Sequence, residues 1–217
     1  MSDIDCRWIV ANVIAALASV ATGFVDYAVR IGLGPGTADT PFGVTAAYAA
    51  VSAILYAVNF LIFARLIGAV LRLIAPALPW RQWITLHVAI AVVLGAGFAL
   101  IYAAPTGEPD EWSDASFLEW TLLSLAFVVV WAVVGAIFGA LQAFVLRRAA
   151  HGMRIWIGMS SLSFVLVALV VAPLVVFHRS DGTFVREVAD QGMTLLAFVA
   201  TAFVMLPALH RLRPRTA

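Results

Sequence analysis

Three polar side chains occupy one recurring position in this chain: Asn12, His87 and Ser160, each four residues after a tryptophan (Trp8, Trp83 and Trp156). An amide, an imidazole and a hydroxyl brought together among apolar residues would make a polar constriction or a small binding site. The plainer reading is hydrogen bonding between neighbouring helices, at about 1 kcal/mol per bond in a membrane. His87 and His210 raise a second chemistry, because two imidazoles on facing helices are an axial ligand set for a haem. No further spacing accompanies that pair, so His87 reads as a helix-contact histidine and no cofactor is expected. Gly158-Met159-Ser160 contains a G-x-S, but no histidine is placed opposite to make the serine a nucleophile. The apolar stretches hold no metal-ligand cluster, phosphate loop or paired carboxylate, and no enzymatic activity is expected.

Other polar residues within apolar runs read as structural. Gly135 and Gly139 stand four apart and clear one stripe of a helix for a close neighbour, while Gln142 can bond across that contact. Arg65, two turns before Arg72, is expected to snorkel toward lipid headgroups. Asn59 is the most central strong hydrogen-bonding group and is assigned to a helix contact. Asp26 falls about 27 Å along its helix from Trp8, where Arg30 one turn on can pair with it. His151 and His178 fall in connections, and Trp131 is expected to pack inside the bundle.

The elements that position these groups are membrane helices. Of 217 residues, 64% are hydrophobic and 12% charged, against roughly 45–50% and 25% in soluble domains. Six apolar segments are long enough to span, near 8–29, 44–72, 83–104, 118–147, 156–178 and 191–210. The first is expected to be retained and not cleaved as a signal peptide, since its leading residues include two aspartates against one arginine. All 13 cationic residues are arginine, which suits a GC-rich bacterial genome. Arg7, Arg65, Arg72, Arg81, Arg147, Arg148, Arg154, Arg211, Arg213 and Arg215 fall on one side of the membrane. Asp39, Glu108, Asp110, Glu111, Asp114, Glu119, Asp181, Glu187 and Asp190 fall on the other. Arginine marks the cytoplasmic side, so both termini are expected in the cytoplasm of a bacterial inner-membrane protein. Six tryptophans, Trp112 among them, fall at expected interfaces. The net charge of +1 offers nothing to a nucleic acid. Cys6 is the sole cysteine, so no internal disulfide forms.

Displacing the chain by 75 aligns residues 7–72 with 82–147 without a gap, and about 18 of 66 pairs are identical. Trp8-Ile9 meets Trp83-Ile84, Tyr27 meets Tyr102, Asp39 and Phe42 meet Asp114 and Phe117, and Val70-Leu71-Arg72 meets Val145-Leu146-Arg147. A looser third unit opens at Trp156. The expected fold is therefore an all-α, six-helix membrane bundle of three tandem hairpins, units of about 7–80, 81–153 and 154–217, in one transmembrane domain. Units with an even number of spans share one orientation and are related by an axis along the membrane normal. They can close into a bundle or remain an arc.

Gly135-x-x-x-Gly139-x-x-Gln142-x-x-Val145-Leu146-Arg147, followed by Trp156-Ile157, resembles a pattern in uncharacterised bacterial multi-pass membrane proteins, in which G-x-x-Q-x-x-V-L-R precedes a helix opening with W-I-x-x-N. Trp8-Ile9-Val10-Ala11-Asn12 is similar to the second element, whereas the first unit has Ile67 where the second has Gln142. The resemblance implies the hairpin architecture and brings no activity with it. Small size, short loops and the lack of a mid-span charge favour a non-catalytic accessory or scaffolding subunit beside a larger membrane complex. Its expected partners are the bilayer and either another membrane protein or further copies of itself. The alternative is a small-solute or lipid transporter with a pathway along the repeat axis, lined by Asn12, His87 and Ser160.

Overall fold

The structure, a computed structural model, describes residues 2–33, 41–103, 117–177 and 184–214. Six long helices carry the chain: α1 (Asp3–Leu33), α2 (Phe42–Ile74), α3 (Trp80–Ala103), α4 (Phe117–Leu146), α5 (Met153–Phe177) and α6 (Phe184–Val204), followed by a short α7 (Leu206–Arg211). Two-residue strands β1 (Ala150–His151) and β2 (Arg213–Pro214) pair antiparallel. In hydrocarbon every backbone N–H and C=O needs a partner within the chain, and a helix supplies them all locally. Among the described residues, four segments are long and apolar enough to cross a bilayer: Asp3–Leu33, Phe42–Ile74, Ser124–Leu146 and Gln191–Arg211. Met153–Leu169 adds a shorter apolar stretch. The chain is an all-α, multi-pass helical bundle of membrane-protein type.

The most extensive packing joins α2 to α3 and α4 to α5. α1 lies between α2 and α6, α5 touches α6, and α3 meets α4 only narrowly. Contact between the first and sixth helices closes the bundle into a ring whose thinnest seam is α3–α4.

The main core sits at one end, built around Trp8, Trp83, Trp156, Ile67, Leu71 and Leu146. That end also bears Arg7, Arg72, Arg81, Arg147, Arg148, Arg154, Arg211 and Arg213 at helix starts, helix ends and connections. Several ties fix it. Arg148 donates to Gln82 at 2.6 Å, and the β1–β2 pair joins the α4–α5 turn to the chain's tail. Gly152 makes this turn possible: its φ of 99° is left-handed, and a Cβ there would lie 2.7 Å from the Arg211 carbonyl oxygen.

The sequence pattern predicts one helix over 191–210, but the structure breaks it at Met205, with Pro207 in the first turn of α7. Proline has no N–H to continue the ladder, and its ring crowds the preceding turn. Near the far end, Asp26 accepts hydrogen bonds from the Tyr48 and Ser52 hydroxyls of α2, while the Arg30 guanidinium lies 5.5 Å from the Tyr27 ring centre. Asp39, Glu108, Asp110, Glu111, Asp114 and Asp181, together with Trp112, His178 and Arg215, lie outside the described residues.

Candidate functional site

The three tryptophans that open α1, α3 and α5 do one job in the structure. Each is buried and donates its indole N–H to the helix that precedes it around the ring. Trp8 bonds the Ala202 carbonyl of α6, Trp83 the Ala64 carbonyl of α2, and Trp156 the Gln142 side-chain oxygen of α4, all at 2.9 Å. The rings of Trp8 and Trp156 also meet edge to face, with centroids 6.1 Å apart. An indole suits this task because it fills a large apolar volume and brings one donor to a place without water.

His87 lies among them with no exposed surface. Its Nδ1 is 2.7 Å from the Trp83 carbonyl oxygen. A carbonyl only accepts, so Nδ1 carries the proton and Nε2 presents its lone pair. That lone pair receives an N–H of the Gln142 amide at 3.0 Å. The opposite end of the same amide accepts from Trp156, so both bonds fix its orientation. The result is one directed chain of bonds from the Trp156 indole through Gln142 and His87 to the Trp83 carbonyl, crossing α5, α4 and α3. Around the imidazole stand Trp83, with ring centroids 4.3 Å apart, and Phe63 and Phe138, each at 5.7 Å. Every link is neutral and paired with another link, a network that rigidifies and sets register.

Gly135 and Gly139 supply the close approach this chain of bonds requires. A Cβ at Gly139 would lie 2.6 Å from the Ser160 Cβ, and one at Gly135 would lie 2.6 Å from the Phe164 Cβ. α5 therefore rests on bare α4 backbone, and Gln142, one turn beyond Gly139, meets Trp156 directly. Gly68 plays a comparable part in α2, where a Cβ would strike the indoles of Trp80 and Trp83 at 2.7 and 2.8 Å.

The polar triad is all buried, but among the described residues no hydrogen bond joins its members to one another. Asn12 donates to the Trp8 carbonyl at 2.8 Å, four residues back along its own helix, as His87 does to Trp83. Ser160 lies against Gly139. The two histidines also go separate ways. His210 places Nε2 2.6 Å from Oδ1 of Asp5, joining the two ends of the chain, while His87 Nε2, the atom an axial haem ligand would use, faces Gln142. Arg65 and His151 are exposed, and Trp131 packs between Phe127 and Phe164. Asn59 is buried, and its Oδ1 has no donor among the described residues.

The sequence reading missed Phe63 and Phe138 as walls of the His87 site. A signal was available, since the two are 75 residues apart and occupy one aligned position. No protein-family model, curated protein or solved structure matches the chain.

Proposed function

We propose that this chain is a non-catalytic protein of the bacterial inner membrane that packs as an accessory or scaffolding subunit beside a larger membrane complex. In this reading all six long helices span, as three tandem hairpins, with both termini and the arginine-bearing end in the cytoplasm. The resemblance of the Gly139–Arg147 and Trp156–Ile157 landmarks to multi-pass bacterial proteins agrees with that arrangement.

The observation that carries the proposal is the position of α4. Only 11% of its apolar stretch is buried within the chain, against 28–33% for the other three membrane-length segments. It packs along α5 and leaves an exposed stripe at three- and four-residue spacing: Leu122, Ala126, Val129, Val133, Ile137, Ala140 and Phe144. Bulky Leu122, Val129, Val133, Ile137 and Phe144, with the small Ala126 and Ala140 set among them, give a ridge with two hollows in which small residues let a neighbouring helix approach. The bond chain from Trp156 through Gln142 and His87 to the Trp83 carbonyl, by contrast, ties the inner side of α4 to α5 and α3. That combination fits a rigid body offering one helix to a neighbour.

A photo-crosslinking residue at Val133, in native membranes, tests this against the same residue at Ile54 on α2. The reading expects Val133 to capture one defined membrane protein, which also co-purifies in gentle detergent at fixed stoichiometry, and Ile54 not to capture it. Capture of lipid alone, or of a second copy of this chain, would overturn it.

A further inference from the structure

A groove of about 450 Å³ opens at the arginine-bearing end between the last turns of α2 and the start of α3, lined by Ala69, Arg72, Leu73, Pro76 and Trp80. Gly68 creates one wall, because only a residue without a side chain lets the Trp80 indole lie against α2. The Arg72 guanidinium sits 5.6 Å from the centre of that indole. Arg65 is seven residues earlier on the same face, about 10 Å deeper along the axis, and it too is exposed. Among the described residues neither arginine has a carboxylate partner. Continuing inward on the face are Val58 and Ile54, exposed at 50% and 63%.

We propose that this face is a binding site for one anionic phospholipid, with the phosphate between Arg65 and Arg72 and an acyl chain along Val58 and Ile54. An arginine below the headgroup level is costly unless it reaches an anion, and a lipid phosphate is the anion available there. Arginine presents a planar fork of donors that matches phosphate oxygens in pairs. The Trp80 ring holds the Arg72 guanidinium by cation–π attraction and marks the interfacial level. From Arg65 to Ile54 the helix rises about 16 Å, close to the roughly 15 Å half-thickness of a hydrocarbon core. Headgroup and chain are thus matched by one continuous strip of α2. The equivalent strip of α4 lacks the deeper cation, having Ala140 where α2 has Arg65, and its Arg147 guanidinium lies 4.2 Å from the Phe144 ring centre. The second hairpin therefore lacks the paired arginines that the first presents.

Native mass spectrometry of the full-length protein in mild detergent tests this, with dioleoyl phosphatidylglycerol, dioleoyl phosphatidylcholine or glycerol 1-phosphate added in separate runs. The expected result is a phosphatidylglycerol adduct that phosphatidylcholine does not match. Arg65→Gln and Arg72→Gln should each lower its bound fraction fivefold or more, and Arg65→Lys should lower it less than Arg65→Gln does. Arg154→Gln, an equal change of charge at the same end, should leave it within twofold. Equal loss in Arg154→Gln would reduce the effect to net charge and overturn the site. Equal binding of phosphatidylcholine would overturn the requirement for an anionic lipid, and glycerol 1-phosphate binding as well as the lipid would assign the pocket to a free phosphate.

Discussion

Replacing Gln142 with leucine removes the middle link of the buried bond chain at nearly constant volume. Two bonds disappear together, the one from Trp156 at 2.9 Å and the one to His87 at 3.0 Å. Bonds of this kind inside membrane bundles contribute about 0.6–1.7 kcal/mol each. Neither stranded partner can reach water, because Trp156 and His87 are 1% and 0% exposed, and an unsatisfied buried group costs about 1–3 kcal/mol. Taken together, Gln142→Leu should destabilise the protein by about 2–4 kcal/mol. Trp156→Phe, which loses one bond, should cost about 1–2 kcal/mol beyond its packing defect. Because the two changes share a bond, the double variant should cost less than the sum of the singles, by about 1 kcal/mol. Equilibrium unfolding in mixed micelles with increasing SDS, followed by far-ultraviolet circular dichroism, measures all three, with the lipid-facing Leu141→Val as reference. A Gln142→Leu variant within about 0.5 kcal/mol of the parent, the range of ordinary surface changes, would refute the network as a source of stability. Strict additivity would refute the direct bond.

Two further perturbations follow from close approaches. Gly139→Ala places a methyl 2.6 Å from the Ser160 Cβ, so α5 must move away from α4; the expected cost is about 1–3 kcal/mol, and the same titration should register it, with an unchanged midpoint refuting the contact. Gly152→Ala meets both a left-handed backbone at φ 99° and the Arg211 carbonyl at 2.7 Å. It should cost about 1–3 kcal/mol and release the tail, seen as faster hydrogen exchange at Leu212 and Arg213 than in the parent; identical exchange would show that the turn does not depend on glycine.

Much of the fold was legible because a bilayer allows few solutions. Apolar runs of spanning length must be helical, and their approximate bounds agree with the observed elements, from 44–72 against Phe42–Ile74 to 118–147 against Phe117–Leu146. Pro207 was equally visible, but periodicity alone cannot tell a kinked helix from one that restarts. The partners of the polar residues were less accessible. That His87 would meet Gln142, or that Asn12 would turn back on its own helix, depends on rotation of each helix about its axis. Hydrophobicity fixes that rotation poorly where both the interior and the lipid are apolar. The β1–β2 pair was illegible for another reason: four residues carry no period, and only the conformation of Gly152 marks the place.

The bond from Trp8 to Ala202 spans 194 residues of sequence, and this bears on how the protein is made. At roughly 5–20 residues per second, the ribosome needs about 10 to 40 s to deliver the acceptor after the donor. Throughout that interval α1 sits in the membrane without its eventual neighbour, and the Trp8 N–H must be satisfied by headgroups, water or the insertion machinery. Trp83 waits for nothing, since Ala64 is already synthesised, and Trp156 likewise follows Gln142. Two of the three seams can therefore form during elongation, in order. The third, between the first helix and the sixth, is a latch that shuts only near termination, so that a chain truncated before α6 would be left open along one side.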